Sequence, residues 1–140
     1  MNTELSDTKH GDVLYTATIP LEPRSKKNSM EIKYKYGKTK MIPFISQSDL
    51  YKQYEKDSGW WLKRPKTGAI GEKVNIVYHF YRSNKRRVDL SNLIAAADDI
   101  LVKYNIIKDD NFIFVGGHDG SRVLIDADNP RTEIIIQRWE

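Results

Sequence analysis

Asp89, Asp98, Asp99, Asp109 and Asp110 crowd into one short stretch of the chain, directly behind a turn carrying Arg82, Lys85, Arg86 and Arg87. Carboxylates gathered in one place repel one another, and a divalent cation relieves that repulsion. The chain has no cysteine. Hard oxygen donors without thiolates point to Mg²⁺ or Mn²⁺ rather than structural zinc. Such an ion can activate water and stabilise charge on a scissile phosphate. Asn92 and Asp99 are seven residues apart, so on a helix they fall nearly in line. Asp89 would open that helix, and Asp109-Asp110 would follow its exit. The candidate ligands are therefore Asp89, Asn92, Asp99, Asp109 and Asp110. Each also has an ordinary reading. An Asp before a helix is a good N-cap, adjacent aspartates suit a turn facing water, and Asn92 and Asp99 would sit on a solvent face in any case.

Phosphate chemistry also needs cations. From Arg24 to Lys40 there are seven Lys or Arg and one acid, Glu31. The candidate phosphate contacts are Arg24, Lys26, Lys27, Lys33 and Lys35, joined by Lys85, Arg86 and Arg87. Basic segments leading into a carboxylate cluster fit an enzyme that grips a phosphate chain and holds a metal at one phosphate. A solvated charged surface is the plain alternative.

The elements that must position these residues can be read from periodicity. Residues 1–12 show no pattern and are expected to be a loose terminus, with a single domain over 13–140. Val13 to Ile19 reads as a strand stopped by Pro20 and Pro23. Ile32 to Tyr36 alternates apolar and cationic residues, turns at Gly37-Lys38 and returns over Thr39 to Ile45, a hairpin with a lysine-rich face. A helix is expected from Ser46, with Ser46 and Asp49 as a capping box and Leu50, Tyr54 and Trp61 on one face beside Tyr51. Trp60 and Trp61 could stack on bases, but packing against the sheet is the expectation. Pro65 to Gly71 is a linker.

Val74 to Tyr81 is a strand with both faces partly covered. Leu90, Leu93, Ile94, Ala97, Leu101 and Tyr104 form one apolar helical stripe. Phe112 to Val115 is expected as a buried strand, His118-Asp119-Gly120 as a hairpin turn, Arg122 to Ile125 as the returning strand, and Thr132 to Trp139 as the last. This order implies an α+β fold, one mixed or antiparallel sheet with two helices packed on it.

The chain has 140 residues, 39% hydrophobic and 30% charged, with a formal charge of +4. That suffices for one core and not two. The polar, acidic start is unlike a signal peptide, and no long uncharged apolar run is present. A soluble, cytoplasmic protein without a membrane partner is the expectation.

Val88-Asp89-Leu90-Ser91-Asn92-Leu93-Ile94, then Asp99-Ile100-Leu101, then Ile106-Ile107-Lys108-Asp109-Asp110, resembles the signature of the RusA family of Holliday junction resolvases. That family shows a basic run, Asp-Leu-Asp-Asn-Leu, a helix ending in Asp-Ala-Leu, and an exit to Asp-Asp. No gap is needed to match it. The segments from Ile19 to Asn28, Ser46 to Lys56 and Pro130 to Ile134 extend the likeness over most of residues 13–139. The resemblance implies a homodimeric, Mg²⁺-dependent endonuclease that nicks four-way DNA junctions symmetrically, with Asp89 and Asp110 as essential acids. A prophage origin would fit it. Two departures stand out: the family's middle acid is Ser91 here, and its helical lysine is Ala95. A neutral Ser91 is a weaker ligand, which Asn92, Asp99 or Asp109 would have to supplement. Two competing readings are a junction-binding protein of the same fold with weakened cutting, and a non-enzymatic regulatory protein whose acids are caps and turns.

Overall fold

The computed structural model describes residues 9–26, 30–37, 40–47 and 49–140. Strand β1 is Val13–Ile19, β2 Met30–Tyr36, β3 Met41–Gln47, β4 Val74–Arg82, β5 Val115–Gly117, β6 Arg122–Ile125 and β7 Arg131–Arg138. Helix α1 is Asp49–Ser58, extended by one 3-10 turn, and α2 is Leu90–Lys103. The main sheet runs β1-β7-β4-β5, and β6 also pairs with β4. β1 and β4 pair antiparallel with β7, while β5 and β6 pair parallel with β4. The sheet is therefore mixed, and β4-α2-β5 is a parallel crossover. β2 and β3 form a two-stranded sheet of their own. The α+β architecture expected from the sequence is the one observed.

β4 is central because its sequence tolerates cover on both faces: Val74 to Phe80 are all buried. Val74, Ile76, Tyr78 and Phe80 join one core cluster with Ile19, Ile134 and Ile136 from the neighbouring strands. α1 contributes Tyr51 and Tyr54 to it, and α2 contributes Leu93, Ala96, Ala97, Ile100 and Leu101. Each large side chain fully removed from water contributes roughly 1.5–3 kcal/mol, so this cluster is what holds both helices to the sheet.

α2 ends in a Schellman arrangement, in which a left-handed residue lets the next two amides bond back to the last turn. Asn105 takes φ of 60°. Its N–H donates to Val102 O at 3.1 Å, and the Ile106 N–H donates to Leu101 O at 2.9 Å. The buried Ile106 and Ile107 then lead the exit past Ile70, where the Ile70 N–H donates to Ile106 O and the Lys108 N–H to Ile70 O. The acids at 109 and 110 thus leave a pinned segment, not a free loop.

Several expectations fail in instructive ways. Ser46 belongs to β3, and α1 begins at Asp49. Its buried face is Tyr51, Tyr54 and Ser58, and Leu50 is 60% exposed. Trp60 is 83% exposed and Trp61 is exposed as well, so neither packs into the core as expected. Phe112 is 79% and Ile113 60% exposed. Both lie in a turn held by Asn111, whose side chain accepts from the Ile113 N–H and whose carbonyl accepts from Phe114 and Val115. The strand starts only at Val115.

His118-Asp119-Gly120 is not a hairpin turn either. β5 and β6 run in the same direction along one edge of β4. Asn75 fills the gap between them, its amide donating to Asp119 O and its carbonyl oxygen accepting from the Asp119 N–H. Ser121 Oγ accepts from the Tyr78 N–H at 2.9 Å. These side chains satisfy the backbone of β4 where the edge strand is interrupted.

Residues 1–8 lie outside the described residues. Residues 10–12, expected to be loose, are tied down: Gly11 N–H donates to Arg138 O, Arg138 N–H donates to Asp12 O, and His10 packs on Trp139.

Candidate functional site

Asp89 sits at the N-cap of α2 in an extended conformation, and its carbonyl accepts from the Asn92 and Leu93 amides. Its side chain makes no capping hydrogen bond. The exposed carboxylate instead accepts from Asn92 Nδ2 at 3.3 Å. The residue type expected of a cap is present at the cap position, yet its oxygens are turned to other use. Ser91 is exposed one residue into the helix, and so is Ala95.

Asp99 lies on the same helix, ten residues on, which is about 15 Å further along the axis. It is held by Lys26 Nζ at 2.6 Å, so the basic loop after Pro23 lies along α2. Lys26 also approaches the Tyr51 ring. One cation expected to meet phosphate therefore meets an acid of the proposed metal set. Lys27 lies outside the described residues. Lys33 and Lys35 alternate along β2, opposite Phe44 and Ile42 of β3.

The exit of α2 separates the two adjacent aspartates by role. Asp109 spends both oxygens locally, Oδ1 accepting from the Asp110 N–H at 2.8 Å and Oδ2 from Asn111 Nδ2 at 2.9 Å. It behaves as a turn acid. Asp110 is different. The residue is exposed, yet partial desolvation of its carboxyl, then the charge of Asp99, the Asp109 carboxylate and the charge of Asp98, raise its pKa above 3.8. The charges acting on Asp110 thus come from the second half of α2 and from its own turn, and Asp89 is not among them. The expected convergence of acids from both ends of the helix takes the form of two groups: Asp89 with Asn92, and Asp110 with Asp98, Asp99 and Asp109.

Asp98 belongs to this second group and was not a candidate from the sequence. It is buried. Tyr78 Oη donates to its Oδ1 at 2.6 Å, and His118 Nε2 lies 2.8 Å from Oδ2 and 3.1 Å from Oδ1. The Tyr78 and His118 rings stack with centroids 5.9 Å apart. Burial first, and then the Asp98 charge, pushes the Tyr78 phenol well up. It therefore stays a donor at any physiological pH. A stripe of apolar residues flanking Asp98 gives no sign of this use. The one available signal was an acid at a position the helical period places toward the sheet.

Among the described residues, no three His, Asp or Glu side chains are grouped so as to hold a metal ion by themselves. Mg²⁺ does not require that, because it keeps several waters and is commonly bound by one or two carboxylates together with substrate phosphates. Asp110, its charge disfavoured by desolvation and by Asp99, is an oxygen donor whose charge such an ion would favour.

On the cationic side, Arg24, Arg82, Arg86 and Arg87 line one cavity with Pro23, Ser25 and Val88. Two basic segments distant in sequence therefore meet at the N-terminal end of α2. Lys85 lines a neighbouring recess with Val123 and Ile125, which Arg82, Arg86 and Arg87 also border. No helix is long and apolar enough to cross a membrane among the described residues.

No protein-family model matches the chain, and a search of curated proteins finds no match either.

Proposed function

We propose that the protein is a metal-dependent, structure-selective endonuclease acting on branched DNA, as a homodimer. The observation that carries the reading is the contact of the basic loop with the acids of α2: Lys26 Nζ lies 2.6 Å from Asp99, whose charge, with those of Asp98 and Asp109, acts on Asp110. Acids gathered along one helix, with a lysine on one of them and arginines at the helix start, fit a surface that takes a phosphate chain and a divalent ion together. The resemblance of residues 85–110 to the RusA signature supports the same chemistry and names Asp89 and Asp110 as its acids.

In this reading Asp110 and Asp99 would hold Mg²⁺ or Mn²⁺, which would supply Lewis acidity when bound. Lys26, now on Asp99 at 2.6 Å, would serve as a phosphate contact. Arg24, Arg86 and Arg87 hold the backbone, and Lys85 extends that grip around the turn. Asp89, turned away from capping, is free to take a ligand at the helix start, with Asn92 steadying it. A two-fold dimer would present two such sites to the opposing strands of a four-way junction.

A second reading is binding without cutting. Ser91 in place of an acid and the Lys26–Asp99 ion pair favour it. Incubation with an end-labelled four-way junction, with and without Mg²⁺ or Mn²⁺, separates the two. Paired nicks that need the metal support the nuclease. A retarded but intact junction in both metals leaves the binding protein, and no retardation in low salt removes DNA from the account.

A further inference from the structure

We propose that Arg24, Arg82, Arg86 and Arg87 form a discrete pocket for a single phosphate group, with the Arg82 guanidinium at its floor. The pocket deepens the nuclease reading by naming where one backbone phosphate is seated.

The cavity has a volume of about 190 Å³, several times the roughly 30 Å³ that one water occupies and enough for a hydrated oxyanion. Its walls are Pro23, Arg24 and Ser25 from the loop after β1, and Arg82, Arg86, Arg87 and Val88 from the turn after β4. Four arginines lining so small a space bring like charges together, which repel one another. Among the described residues none of the four is in an ion pair. The two acids nearest in sequence, Glu22 and Asp89, are engaged elsewhere, Asp89 with Asn92. The carboxylate of Glu22 accepts from the Ser83 N–H at 3.1 Å and from Ser83 Oγ at 2.7 Å. The Glu22 carboxylate therefore holds the turn in shape and, among the described residues, forms no ion pair with the arginines.

Arg82 supplies the second observation. Its Nη1 donates to the carbonyl oxygen of Arg86, which fixes the guanidinium within the turn. Its Nε is buried and has no hydrogen-bond partner. A buried N–H on a charged group with nothing to bond is costly, so the Arg82 guanidinium retains unmet donor capacity at the cavity it lines. The Asn84 side chain accepts from the Arg86 N–H at 2.9 Å, so the turn is organised before any ligand binds. A prepared set of uncompensated guanidinium donors, one of them orphaned, matches the tetrahedral oxygens of a phosphate better than a lysine patch would. Phosphodiester in DNA and free phosphate present the same oxygens, and they differ in what else is attached.

The test uses the whole chain, metal-free and ¹⁵N-labelled, titrated with inorganic phosphate while the arginine Nε–H resonances are followed by NMR. The Arg82 resonance should move and saturate, with no such change in chloride of equal ionic strength. Arg82→Gln and, at the exposed rim, Arg86→Gln should each weaken phosphate binding roughly tenfold, the loss of one charge-assisted hydrogen bond. Circular dichroism identical to the parent keeps either variant informative. In the DNA arm, the same variants should weaken binding to a metal-free four-way junction and flatten the log–log salt slope by about 0.9. Saturable phosphate binding with unaltered junction affinity would support the pocket and assign it to free phosphate. An Arg82 resonance that does not saturate would overturn the pocket, whether or not the protein cuts junctions in Mg²⁺. Failure to cut, with phosphate binding intact, would overturn the nuclease alone.

Discussion

His118 and Asp98 are joined across the fold, Nε2 to Oδ2 at 2.8 Å, so the interruption between β5 and β6 is fastened to the third turn of α2. Tyr78 completes the brace from the middle of β4. The brace fixes the helical turn that also carries Asp99, and hence where the acids near Asp110 stand. Removing Tyr78 or His118 leaves the buried Asp98 with one partner fewer, and removing Asp98 leaves both others without it, at a cost of about 1–3 kcal/mol. Tyr78→Phe and His118→Ala should each lose about 1 kcal/mol in urea denaturation with an unchanged slope. Asp98→Ala should lose more than either, because it strands two partners. The double variant Tyr78→Phe, Asp98→Ala should fall short of the sum of its parts. Additive losses would mean that the three side chains do not act as a unit.

Asp110 should show itself in the pH dependence of stability. Its pKa in the fold is raised above the ordinary 3.8, so the folded state prefers it protonated. The stability that goes with that preference is complete below 3.8 and is lost as pH rises through the raised value. Asp110→Asn removes the loss. The variant should melt higher than the parent at pH 7, and the two should converge near about pH 3.5. In the proposed function, Mg²⁺ relieves the same repulsion and should narrow the difference at pH 7. Equal melting temperatures at pH 7 without metal would show that the acids around Asp110 do not strain it.

How far the sequence reveals this arrangement depends on the kind of force involved. β4 and α2 are legible because burial imposes a period on their residues, and the α+β order follows from them. The hairpin β2–β3 is legible because Lys33 and Lys35 alternate with apolar residues. The β5–β6 segment is misread because His118-Asp119-Gly120 has hairpin-turn chemistry, while the direction of the chain is set by Asn75, more than forty residues away. Phe112 and Ile113 are apolar but lie in an Asn111-centred turn, and local hydrophobicity carries no information about which turn residues meet solvent. Asp98 is hidden for the opposite reason: a buried acid is intelligible only with its partners, Tyr78 and His118, which come from other elements. The separation of Asp109 from Asp110 likewise depends on Asn111 and on the Schellman exit, and their identical side chains give no hint of it.

Asp89 offers a test of what its position is for. An N-cap whose side chain bonds the helix amides is worth about 1 kcal/mol over alanine. Here that bond is missing, leaving only the favourable interaction of a negative charge with the helix start, about 0.3–1 kcal/mol and reduced by salt. Asp89→Ala should therefore cost only a few tenths of a kcal/mol in 0.5 M salt, roughly half of an ordinary cap or less, and Asp89→Asn should be neutral. Junction cutting, in the proposed function, should nonetheless be lost in both. A full cap-sized loss with unaffected activity would return Asp89 to an ordinary structural role.

Assembly is open to direct measurement. The proposed symmetric cutting needs two sites, and one 140-residue chain carries one. Light scattering at micromolar concentration should report a mass of twice 16.3 kDa. Exposed Trp60 and Phe112 are the aromatic side chains whose fluorescence or substitution can report whether such an interface includes them. A monomer throughout that range would remove the two-fold mechanism.

Ser91→Asp asks whether the first turn of α2 is part of the site at all. Ser91 is exposed and adjoins Leu90 and Asn92 in the turn that Asp89 opens. A carboxylate there meets no steric barrier and is favoured by the positive end of the helix by about 0.3–1 kcal/mol. The fold should accept it with unchanged or slightly higher stability in thermal denaturation. Its effect on metal is the informative part. If Asp89 takes a divalent ion, a second carboxylate two residues on adds charge to the same locus, and calorimetric titration with Mn²⁺ should show tighter binding. Junction cutting should then be equal or faster. If the ion sits only with Asp99, about 12 Å down the helix from Ser91, and Asp110, Ser91→Asp should leave Mn²⁺ affinity unchanged while Asp110→Asn abolishes it. Unchanged affinity in both variants would leave neither group of acids holding metal, and the proposed hydrolytic mechanism would fail with them.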